Sequence, residues 1–207
     1  MVNVSYNNIG ESVTSGIKKA TKEHIKLTNQ YNELSWGPEY FLTVNIVNEL
    51  KRLSAAYIYL EEAMSESQEA PKGKAPEESG PKKRYDIVVR KSDGSPYAAI
   101  EVKHRVYRVS DRVVEDFKRI SYAVNSKEDG DSIFKMGIFA FYTVFYGDKS
   151  DPVKQKKSIN DLYTKLEEEL KEYKGRATLD KRLIEPTPYS HDRSIVWGGG
   201  CFVLSPP

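Results

Sequence analysis

Residues 84–104, RYDIVVRKSDGSPYAAIEVKH, hold two runs of strand-forming residues around a turn. RYDIVVRK (84–91) and YAAIEVKH (97–104) are rich in β-branched and aromatic side chains, and SDGSP between them has the composition of a tight turn. The segment reads as an antiparallel hairpin. Both strands carry charge where a buried strand has none: Asp86 precedes Ile87-Val88-Val89, and Glu101 and Lys103 interrupt Ala98-Ala99-Ile100-Val102. Successive strand side chains point to opposite faces. Glu101 and Lys103 therefore share a face beside Ala99, while Ile100 and Val102 occupy the other. Asp86, on the partner strand, is placed to lie across from the Glu101–Lys103 segment.

Outward from the hairpin, periodicity changes. After Gly37-Pro38, residues recur at three- or four-residue spacing through Phe41, Val44, Val47, Leu50, Leu53 or Ser54, Tyr57 and Leu60. This predicts one amphipathic helix over 38–63. Residues 1–36 read as a loose N-terminal arm with a short helix around 11–27, ahead of a single α/β domain over 37–207. The stretch 65–83, rich in proline and charge and without a large apolar residue, reads as a mobile loop. Ser110 or Asp111 caps a second helix whose stripe is Val113, Phe117, Ile120 and Val124. KMGIFAFYTVFY (135–146) reads as a strand buried on both faces. Residues 153–174 form another helix, and 194–205 a strand in which Gly198–Gly200 predict a bend. The expected class is α/β, a mixed central sheet flanked by helices.

Composition narrows the chemistry. The chain has 207 residues, 39% apolar and 30% charged, with 32 basic and 30 acidic side chains and a net charge of +2. Any nucleic-acid surface must then be a local basic patch. Cys201 is the one cysteine, which excludes an internal disulfide and a cysteine-based zinc site, and reads as a small buried thiol. His24, His104 and His191 lack paired metal-ligand spacing, and the glycine run lacks the Lys-Ser/Thr of a phosphate loop. The N-terminus lacks a signal-peptide pattern, and no apolar run suits a membrane span, so a cytoplasmic location is the expectation.

Two carboxylates meeting in a half-buried place repel each other unless neutralised. A hard divalent ion neutralises them and keeps positions open for water and phosphate oxygens, and a nearby lysine can serve the attacking water or the developing charge. Asp86 in RYDIVV, with Glu101 and Lys103 in AIEVK, resembles the PD-(D/E)XK nucleases. Tyr85 stands where the family's name has proline. The resemblance, over about residues 37–146, implies a restriction-endonuclease-like core and Mg²⁺ (or Mn²⁺) held by Asp86 and Glu101. It further implies an acid from the first core helix, for which Glu39 is the first choice and Glu49 the second. The implied activity is hydrolysis of nucleic acid, DNA first, by an endonuclease. The other reading is an inactive nuclease-like fold that binds nucleic acid or assembles with proteins; a homodimer is left open. Arg105, Arg108, Arg112, Lys118 and Arg119 offer a basic approach for a phosphate backbone, with Tyr107 and Tyr122 as candidate stacking residues.

Overall fold

The computed structural model describes residues 5–29, 33–53, 56–63, 84–125, 134–147 and 152–206. The hairpin forms as expected: β2 (Arg84–Lys91) and β3 (Pro96–Lys103) pair antiparallel, Ile87 with Ile100, Val88 with Ala99 and Val89 with Ala98. Its turn uses Gly94 at φ +82°, a conformation that glycine adopts without steric cost. From β3 the chain crosses through helix α3 (Asp111–Val124) and returns as β4 (Met136–Tyr146), parallel to β3. With β1 (Ala56–Ala63), β5 (Thr178–Pro188) and β6 (Ile195–Ser205), these strands make a mixed six-stranded sheet in the order β1-β2-β3-β4-β6-β5.

Helices cover both faces. On one, α1 (Tyr6–Leu27) and α2 (Glu39–Leu50) pack over Ile87, Val89, Ile100, Val102, Ile138 and Val203. On the other, α3 and α4 (Pro152–Tyr173) pack over Val88, Ala99, Phe139, Phe141 and Phe202. The middle strand β4 is accordingly buried on both sides. The α3 stripe of Val113, Phe117, Ile120 and Val124 is buried as its spacing predicts. That helix sits hard on the sheet: a Cβ on Gly137 of β4 would lie 2.5 Å from the carbonyl oxygen of Ile120.

Several expectations need correction. The helix predicted over 38–63 ends at Leu50, and its second half is the edge strand β1, paired antiparallel with β2. Tyr57 and Leu60 continued the helical spacing by coincidence; they are exposed, and the run Tyr57-Ile58-Tyr59 is strand-forming by composition. The N-terminal segment is no loose arm. Helix α1 begins at Tyr6, and its Ile9, Val13, Ile17 and Ala20 are completely buried in the same core as α2. Strand β5 was not foreseen, since TLDKRLIEPTP is an edge strand with mostly polar, partly exposed residues. Gly198–Gly200 do not interrupt pairing with β4; the register shift lies in β5, between Ile184 and Thr187. The expected loop at 65–83 lies outside the described residues. Cys201 is buried, and burial pushes its thiol up to about 12.

Candidate active site

The site lies where the hairpin opens. β2 and β3 are paired at Ile87–Ile100, but beyond that point Asp86 breaks the ladder. Its carboxylate oxygen Oδ2 accepts a hydrogen bond from the Val102 backbone N–H at 2.7 Å. A side chain thus takes over an amide that a continued ladder would have used. Glu101 and Lys103 share the α3 face of β3, as their alternation predicts.

Helix α3 brings two residues to that face. Arg119 donates to both oxygens of Glu101, Nε at 2.7 Å and Nη2 at 3.0 Å, and also pairs with Asp116. Asp116 in turn holds Lys103 Nζ at 2.9 Å. Glu101 and Asp116 are only 1% and 2% exposed. A two-pronged guanidinium contact of this kind is the strong form of the carboxylate hydrogen bond. Glu39, in the first turn of α2, is exposed and accepts from the His104 N–H at 2.9 Å.

These groups lie close enough for each to shift the titration of the others. Burial raises the Asp86 carboxyl above its ordinary value, opposed by the Val102 N–H and Lys103 and reinforced by Glu39 and Asp116. Burial likewise raises Glu101, with Arg119 opposing and Asp86 adding to the rise. Asp116 is raised by burial against the pull of Lys103 and Arg119. Burial works against the charge of Lys103, but Asp116, then Glu39 and Asp86, outweigh it and keep the ammonium protonated. Glu39, Asp86, Glu101 and Asp116 therefore face two cations, Lys103 and Arg119. Among the described residues, no three or more His, Cys, Asp or Glu side chains form a group that could hold a metal ion. At Glu101, both carboxylate oxygens are taken by Arg119.

Beside the cluster opens a cleft of about 320 Å³, lined by Glu39, Lys103, His104, Arg105, Tyr107, Arg108 and Arg112 among others. Arg105, Arg108 and Arg112 are exposed there. Two other expected phosphate contacts are engaged elsewhere: Arg119 with the carboxylates, and Lys118 over the Tyr173 ring, 5.6 Å from its centre. Tyr122 packs against the second core, whereas Tyr107 is exposed. Glu49 is no part of the site. It is buried ten residues along α2 from Glu39, about 15 Å down the axis, and pairs with Lys19 and Arg52. Asp116 is the residue that the sequence reading missed. Its signal was available, since Asp116 falls on the buried α3 stripe between Val113 and Phe117, where a carboxylate needs a partner. No family model, curated protein or solved structure matches this chain.

Proposed function

We propose that the chain is a divalent-metal-dependent phosphodiesterase that hydrolyses nucleic acid, DNA first, in the manner of the PD-(D/E)XK nucleases. One observation carries the reading: Asp86 of β2 and Glu101 and Lys103 of β3 lie within electrostatic reach of one another at the open end of the hairpin, and Lys103 lines an arginine-bearing cleft beside them. The succession of α2, the β2–β3 hairpin, α3 and β4 supports the reading, with β1 as an added strand between α2 and the hairpin.

The carboxylate oxygens are of the kind a hard divalent ion takes, although among the described residues they are not gathered as a metal-holding group. Four carboxylates outnumber two side-chain cations, and oxygen is the atom that Mg²⁺ and Mn²⁺ prefer. Asp86 and Glu39 line a common pocket of about 130 Å³ and would hold the ion, with Glu101 joining them once Arg119 yields. When bound, such an ion lowers the pKa of a coordinated water and polarises a phosphoryl oxygen. The remaining work belongs to side chains. Lys103, its ammonium held by Asp116 and within reach of the charges of Glu39 and Asp86, would orient water or stabilise charge on the phosphate. Arg105, Arg108 and Arg112 would hold the backbone on either side of the scissile bond.

A second reading has an observation in its favour. The Arg119 fork neutralises Glu101 without metal, as expected of a nuclease-like fold that binds nucleic acid without cutting it. Incubation of the purified chain with plasmid and with single strands, in Mg²⁺, Mn²⁺ and chelator, separates the two. Metal-dependent cleavage lost in Asp86→Asn supports the enzyme; binding without cleavage under every condition supports the module.

A further inference from the structure

Three exposed aromatic rings stand beside the cleft, two of them tied to the buried carboxylate of Glu33, and the hydrolysis proposed above has no use for them. Trp36, Tyr107 and Tyr146 are 68%, 45% and 53% exposed. They are nonetheless held. Trp36 Nε1 donates to Glu33 Oε1 at 2.9 Å, and the Tyr146 hydroxyl donates to the same oxygen and lies 2.9 Å from Ser35 Oγ. Tyr107 rests edge-on against Phe145, their ring centres 6.1 Å apart at 81°. The polar ends of Trp36 and Tyr146 thus turn to Glu33, which is 4% exposed, while much of each ring's carbon surface meets solvent.

The turn bearing Trp36 is fastened to the cleft. His104 Nε2 lies 2.9 Å from the Leu34 carbonyl, and Arg105 Nε donates to the Ser35 carbonyl. Residues 104 and 105 directly follow Lys103, and Tyr107 lines the same cleft as Arg105 and Arg108. Scattered exposed aromatics need no explanation. Here two rings are anchored on one carboxylate and the third on Phe145, among arginines and adjacent to a candidate phosphate-cleaving centre.

We infer that this surface is a base-stacking platform and that the site takes nucleic acid whose bases are unpaired, a single strand or a single-stranded end. The inference rests on the nucleic-acid reading above and adds the substrate class. In an intact duplex the bases stack on one another and offer the rings nothing, whereas a single strand offers a π face at every nucleotide. Arginines that grip phosphate beside fixed rings that meet bases are the two halves of a single-strand groove. Fixed rings also give up little freedom on binding.

The test measures fluorescence anisotropy of a labelled oligothymidylate and of a blunt duplex of equal length, in chelator so that neither is cut. The single strand should bind at least tenfold tighter. Trp36→Ala and Tyr107→Ala should each weaken it by roughly tenfold, as expected for loss of one stacked base, and leave duplex binding unchanged. Tyr57→Ala, an exposed ring on the outer strand β1, should change neither. The chain has two tryptophans, so quenching of emission by oligothymidylate should shrink in Trp36→Phe. That variant keeps a ring and should retain most of the affinity, which controls for folding. Equal or tighter duplex binding, or single-strand affinity indifferent to Trp36→Ala and Tyr107→Ala, overturns the platform and leaves the nuclease reading standing. Binding to neither nucleic acid overturns both.

Discussion

From Ile87 to Val89, β2 is laddered to β3, and every side chain in both paired segments is completely buried. Arg84 and Tyr85 of the same strand are paired only to β1, and Asp86 reaches across to the Val102 amide with its side chain. The laddered half buries apolar area, the main favourable contribution to folding. The open half does the reverse, gathering desolvated carboxylates whose protons are held more tightly than in water. A fold keeps such a feature when its neighbours compensate the cost and its chemistry is used. The hairpin thus divides into a part that buries apolar area and a part that gathers charge.

The sharpest way to break this division is through turnover. Lys103→Ala and Asp86→Asn should each reduce nucleic-acid cleavage by about a hundredfold or more, with near-native circular dichroism. Thermal stabilisation by Mn²⁺ should vanish in Asp86→Asn and persist in Lys103→Ala, whose side chain is no metal ligand. Cleavage that survives both substitutions would return the open half to ordinary structure.

Next in size is Arg119→Ala. It leaves buried Glu101 and Asp116 without a shared partner, a loss of about 3–5 kcal/mol for a broken buried pair, measurable by urea unfolding. If the cluster lacks positive charge, Mn²⁺ should restore more stability to this variant than it adds to the wild type. Ile100→Ala tests the laddered half. Truncating a fully buried side chain there should cost about 2–5 kcal/mol and leave the turnover of the folded fraction unchanged.

The smallest effect has the opposite sign. With chelator present, Asp86→Asn should stabilise the protein by about 1 kcal/mol at neutral pH, as removal of a functional strain commonly does. The folded carboxyl titrates above its ordinary 3.8, so the folded state binds the proton more tightly than the unfolded chain. Wild-type stability then falls as pH rises from that ordinary value through the raised one. The gap between variant and wild type should therefore open across that window and close in stronger acid. A gap independent of pH would mean that burial of the Asp86 charge is not its source.

Local pattern made much of this legible. Alternation alone put Glu101 and Lys103 on one face of β3, and turn chemistry alone gave the hairpin. Pattern misled where two periods coincide, as when Leu50, Tyr57 and Leu60 continued a helix that ends at Leu50. It was silent at β5, because a polar edge strand shows no apolar alternation. The partner of Glu101 lay beyond its reach for a different reason. Arg119 was read as a phosphate contact because arginines on a helix near an acidic pair suit that role. Which group it meets depends on how far α3 slides and how closely it seats, a tertiary quantity.

That seating rests on a missing methyl group. Gly137 lies beside Ala99 in the parallel ladder, two residues before Glu101's own neighbour, and directly beneath the Ile120 carbonyl. Arg119 is the residue just before Ile120. The pairing of charge at the site therefore has a mechanical clearance, set on a strand that carries none of the charge. A methyl placed there would lift α3 and draw the guanidinium off its carboxylate with no ionisable group altered. Mutational sensitivity of this centre should extend to a silent glycine in the floor of the sheet.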